Sequence, residues 1–261
     1  MKKSGWRPER RNRNIGTAAS GHGQSNKMTI PNSRLDRFGM ETVFQERVKP
    51  ARVETIEIGG NSLTVSYEEP RPGFTYGCSP KDIAHLLSQI PADDFDLIDL
   101  MVFRQPTLKQ ARQNPVWGRL QYCALIGNHL GPAIYIEAQK IGASFKWSRK
   151  LSLDDQAELA RLRSDGHVVT ENRREFVITP SEDSIRNKLL YRTVLHEIGH
   201  WVQYEKEALD EITGLSDDLD LAYDLYFSKP GAEHEQFAHR YATEKAALLR
   251  SKGVLPFDPI T

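Results

Sequence analysis

The chain has 261 residues, 39% hydrophobic and 27% charged, with a formal net charge of zero. These values describe an ordinary soluble protein with one substantial domain and argue against wholesale disorder. They also argue against a global electrostatic pull toward nucleic acid or anionic membrane. Cys78 and Cys123 are too few for a disulfide scaffold and fit reduced thiols in a cytoplasmic protein.

Residues 1–46 read as a flexible basic arm, rich in Arg, Asn, Gly and Ser and without a sustained helix or strand period. Lys2, Lys3, Arg7, Arg10, Arg11 and Arg13 face only Glu9, which allows a weak contact with nucleic acid; a solvated tail is the plainer reading. No apolar segment follows this basic start, so a cleaved Sec signal is not expected, while export by another route stays open. No apolar run reaches the length needed to cross a bilayer, so no membrane partner is expected.

Residues 47–261 read as one domain, with order beginning near Val48. "RVETIEI" and "SLTVSYE" around "GGN" predict a hairpin. In "SPKDIAHLLSQI", Ser79 suits a helix N-cap, Pro80 the first helical position and Asp82 the return bond to the cap. "DLIDLMVF" predicts a strand, "TLKQARQ" a short helix, and "RLQYCALIG" with "PAIYIEAQ" an antiparallel pair. "LSLDDQAELARLRSDG" predicts a helix capped by Ser152 and stopped at Gly166. "HVVTEN" and "EFVITP" predict short strands, a long helix should run from Ser181 to about Ala208, and a last helix should follow Pro230–Gly231 and close at Gly253.

The long helix contains "YRTVLHEIGHWVQY", Tyr191 to Tyr204. Residues four apart share a helix face, so His196 and His200 can direct two imidazoles at one ion, about 2 Å from each. Glu197 lies where it can take a proton from a water on that ion, which is the mechanism that the HExxH spacing carries. The flanks are uncharged, and Gly199 costs about 1 kcal/mol in a helix interior, which predicts close approach of a strand or of substrate. A catalytic zinc of this kind takes three protein ligands. A third histidine six residues on is absent, because Lys206 stands there. Glu235 on the last helix is the favoured ligand, with His239 one turn on to hydrogen-bond a ligand. Glu233, His234 and an aspartate near Asp220 remain rivals. The oxyanion candidates are Tyr223, Tyr226, His234 and Tyr241.

"RTVLHEIGHWV" followed by "EQFAHRYA" resembles the gluzincin branch of zinc metallopeptidases, closest to minigluzincins, which include phage and mobile-element domains and ImmA/IrrE-type regulators. The similarity covers residues 175–250. It implies His196, His200 and Glu235 as zinc ligands and Glu197 as general base; thermolysin-like members carry Asp or Asn where His239 falls. It also implies an α+β zincin-like domain, with a small mixed sheet packed on the HExxH helix and an edge strand that pairs with extended substrate. "EFVITP" and "PAIYIEAQ" are the candidates for that strand. The resulting expectation is a Zn2+-dependent peptidase acting on a protein or peptide. The alternative is a zinc-binding regulatory or mobile-element accessory protein with little or no proteolysis.

Overall fold

In the computed structural model, which describes residues 33–35, 41–43, 46–113, 116–209, 224 and 226–260, the chain divides into two compact units. Met1–Arg47 with Thr107–Pro115 form the first, and Val48–Pro106 with Val116–Thr261 the second. In the first unit β1 (Ser33–Leu35) pairs antiparallel with β2 (Glu41–Val43), strands the sequence reading did not expect in the arm. The basic cluster of the arm lies outside the described residues.

The second unit opens with the expected hairpin. β3 (Arg52–Ile58) pairs with β4 (Asn61–Tyr67) across Gly59 and Gly60, whose positive φ angles of 61° and 99° are what a tight turn demands. The two-residue β5 (Phe74–Thr75) precedes α1 (Pro80–Leu87), where Ser79 and Asp82 form the reciprocal cap read from the sequence. β6 (Leu100–Arg104) follows, and then α2 (Leu108–Gln113), which belongs to the first unit. β7 (Gly118–Ile126) and β8 (His129–Glu137) are antiparallel, with an irregularity between Gln121 and Ala124. β9 (Gln139–Lys140) pairs with β5.

The main sheet is mixed, in the order β3-β4-β6-β8-β7. Its two central pairings, β4 with β6 and β6 with β8, are parallel, while β3 and β7 lie antiparallel at the two edges. A smaller sheet holds β10 (Phe145–Ser148), β12 (Glu175–Thr179) and β11 (Val168–Glu171) in that spatial order, and α3 (Leu153–Ser164) packs on it through Leu159 and Leu162. β10 has no counterpart in the sequence reading. Its burial merely alternates around Phe145 and Trp147, and Gly142 is its only turn signal.

After Pro180 the chain is helical through residue 209, but not as one α-helix. α4 (Glu182–Lys188) and α5 (Val194–Tyr204) are separated by a π-turn at Leu189–Thr193, closed by the Val194 N–H on the Leu189 carbonyl, and a second π-turn follows at Glu205–Leu209. Such turns concentrate at functional sites. The last helix, α6, spans Gly231–Ser251. One face of the main sheet, through Val65, Met101, Phe103, Ile134 and Ile136, forms a continuous core with Leu86, Leu195, Ile198 and Leu249 of the helices. The protein is therefore α+β, with a mixed sheet covered by the helix that carries the two histidines. No helix among the described residues is long and apolar enough to cross a membrane.

Behind α5, Glu158 of α3 receives Lys188, Arg192 and Arg161. His167 is 5% exposed beside this group, with its ring edge-on to Trp117. Burial first, and the Lys188 charge second, push its pKa down to about 4. An unfolded histidine takes up its proton near pH 6.5, so between pH 6.5 and 4 the unfolded chain holds more protons and stability falls on acidification. His167→Leu should remove about 2–3 kcal/mol of that fall, read from urea unfolding curves at pH 7.5 and 4.5. A wild-type stability equal at the two pH values would defeat the assignment.

Candidate metal centre

α5 buries Val194, Leu195, Ile198 and Val202 in the core and turns His196 and His200 toward a cleft of about 480 Å³. The cleft lies between β7, α5 and the start of α6. Gly199 faces α6. A Cβ there would lie 3.0 Å from Ala238 Cα, 3.1 Å from Tyr241 Cβ and 3.2 Å from the Ala238 carbonyl. The close approach predicted from this glycine is thus real, but the neighbour is the backbone of α6 rather than a strand or a substrate. That crossing brings Glu235 over the two histidines.

His196 Nε2 and His200 Nε2 are 3.1 Å apart, and they lie 3.3 and 3.6 Å from the two Glu235 oxygens. Donors at about 2.05 Å from a tetrahedral zinc stand about 3.3 Å from one another. The separations are of the size that one tetrahedral zinc shell requires, with each imidazole meeting a different Glu235 oxygen. A looser set, His196, Glu235 and His239, has its donor atoms within 4.8 Å of one another. The separations in the set with His200 are the shorter ones. The Glu235 pKa is held well below the usual carboxylate range by hydrogen bonds to His196 and His200. Its side chain is 59% exposed. Convergence on two imidazoles, not burial, is what marks Glu235.

Glu197 is buried, and its Oε2 accepts the Leu120 N–H of β7 at 2.7 Å. Burial raises its pKa, against the nearby His196 and His200 and the Leu120 bond, which lower it. β7 can pass this close because residue 118 is glycine. A Cβ there would lie 2.7 Å from Thr193 Cγ2 and 2.9 Å from the Tyr135 carbonyl. The Trp117 carbonyl bonds to Glu137 N on β8, so by alternation the Gly118 and Leu120 backbone groups point out of the sheet, over the cleft. Neither strand proposed for the substrate edge holds this place. β12, which contains "EFVITP", is central in the small sheet, and β8, which contains "PAIYIEAQ", lies inside the main one. The glycine opening β7 was the better signal.

The remaining candidates separate clearly. His239 forms no hydrogen bond to a ligand; its ring lies 4.5 Å from that of His196, and burial, then the His196 charge, push its pKa down to about 4. The Tyr241 hydroxyl donates to Asp94 at 2.7 Å, away from the cleft, which removes it as an oxyanion donor. Tyr226 is buried and bonded to Gln203. Glu233 is exposed and joins no donor cluster among the described residues. Tyr223 and the aspartates around Asp220 lie outside the described residues. His234 lines the cleft, with Nδ1 3.2 Å from Gln203 Oε1. Sequence reasoning missed Gln203 altogether, since a glutamine on a helix carries no motif. No protein-family model, curated protein or solved structure matches the chain.

Proposed function

We propose that the chain is a zinc-dependent peptidase in which His196, His200 and Glu235 hold the ion and Glu197 is the general base. The observation that carries this reading is the placement of Glu197. It is a buried carboxylate beside a zinc-sized donor triangle, and it is anchored by the open edge of a strand. A purely structural zinc site has no use for such a group, and structural sites are usually closed by cysteine or a fourth ligand. Zinc, when bound, supplies Lewis acidity and lowers the pKa of water it holds.

The chain's own residues supply the rest. The outward backbone groups of Gly118 and the outward carbonyl of Leu120, whose N–H is held by Glu197, pair with an extended peptide and lay it along β7, as added strands do on exposed sheet edges. Glu197, with a pKa raised by burial, takes a proton from the attacking water and returns it to the leaving amine. Its bond to Leu120 fixes the carboxylate at the strand that holds the substrate.

Elemental analysis of purified protein should give one zinc per chain. Glu235→Ala should weaken zinc binding by roughly a hundredfold or more, since loss of a ligand exceeds the 10–100-fold cost of losing its supporting partners. Full zinc occupancy in Glu235→Ala would exclude it as a ligand. A proteomic comparison of cells carrying wild type or Glu197→Gln then tests peptidase activity. Fragments found only with wild type support it, and identical fragment sets argue for a zinc-binding regulator.

A further inference from the structure

The polarity of one hydrogen-bond chain determines what His234 offers the cleft. Gln203 Nε2 donates to Glu207 Oε1 at 3.1 Å, and a carboxylate only accepts, so the amide orientation is fixed. Gln203 Oε1 therefore faces both the Tyr226 hydroxyl, at 3.3 Å, and His234 Nδ1, at 3.2 Å, and both must donate to it. In the neutral imidazole this places the proton on Nδ1 and leaves Nε2 as a bare acceptor. His234 is 8% exposed, its Nε2 is buried without a partner among the described residues, and its ring lines the cleft beside the metal ligands.

Such an orphan is costly unless something bonds to it. The wall around it is aromatic. The His234 ring lies against Tyr226 at 4.1 Å between centroids, Phe227 follows at 6.4 Å, and Phe227 and Tyr122, 5.1 Å apart, both line the same cleft. An aromatic wall that holds an unpartnered imidazole acceptor receives a flat apolar side chain that carries a donor at its tip.

We infer that His234, Phe227 and Tyr122 form a specificity subsite that selects a substrate residue with an aromatic body and a hydrogen-bond donor, tyrosine above phenylalanine. The orphaned acceptor favours the residue that can satisfy it, and an apolar ring leaves it unpaired. This reading rests on the proposed peptidase activity only for its kinetic arm. It also assigns His234 a role different from oxyanion donation, because Nδ1–H is committed to Gln203.

The test uses two nonapeptides, four alanines on each side of a central Tyr or Phe. Zinc-loaded Glu197→Gln protein, which does not consume them, should bind the Tyr peptide roughly 10-fold or more tighter by calorimetry. The wild type should show the same preference in kcat/KM. In His234→Phe, where an apolar ring of similar size replaces the acceptor, both ratios should collapse toward one. Gln203→Met, which removes the partner that fixes the tautomer, should lower them in part and serves if His234→Phe fails to fold. Equal binding of the two peptides by the Glu197→Gln protein would overturn the subsite. Discriminating binding without hydrolysis by wild type would leave the subsite standing and overturn the peptidase.

Discussion

Glu197→Gln should keep one zinc per chain and lose peptide hydrolysis by about 10²–10⁴-fold, the usual contribution of a positioned general base. The exchange is nearly isosteric, and the amide oxygen of glutamine can still accept the Leu120 N–H, so the cleft and the strand above it should keep their geometry. What disappears is the ability to take a proton. The loss should fall on kcat with KM little changed, because the carboxylate acts in the transition state and not in holding the peptide. Stability should stay level or rise, since the raised pKa of Glu197 reports a charge that burial disfavours. A variant that hydrolyses peptides at the wild-type rate would remove Glu197 from the mechanism. One that loses zinc would make it a structural support of the site.

The second large effect is expected at Gly199. Leucine there must displace the α6 backbone at Ala238, because the colliding atoms are main chain rather than the end of a flexible side chain. Overpacking of this kind costs about 1–3 kcal/mol. The displacement also carries Glu235, three residues before Ala238, away from His196 and His200. Gly199→Ala is the finer probe. Its gain of about 1 kcal/mol in helix propensity offsets part of the crowding, so stability should change little while zinc affinity drops. Both variants can be followed by chemical unfolding and zinc competition. Wild-type zinc affinity in Gly199→Leu would mean that the α5–α6 crossing does not set the position of the ligand.

Local chemistry was the legible part of this chain. Ser79 with Asp82, the Ser152 cap and the turn at Gly59–Gly60 act within a few residues, and each formed as its residues prescribe. The convergence of His196 and His200 follows from helix geometry alone. Glu235 was singled out by the face that it shares with His239 and by the resemblance, but its approach depends on how α6 crosses α5, and the sequence marks that crossing only with a glycine. The order of strands was illegible. β8 has the apolar run of a strand that binds, but that run reflects its place between β6 and β7. Gln203 and Leu120 were beyond reach for a related reason. One acts through a tertiary hydrogen bond and the other through its backbone, so neither side chain's identity advertises a role.

The two π-turns that bracket α5 separate the phase of this helix from that of its neighbours. An α-helix advances about 100° per residue, so one extra residue in a turn re-aims everything beyond it. α4 can therefore keep Ile185 in the core at its own angle while α5 presents His196 and His200 at another. The aim of the histidines is set by residue count in Leu189–Thr193, much as a dial is set by its detents. A deletion there that restored a regular helix would leave every side chain of the motif intact and point it elsewhere.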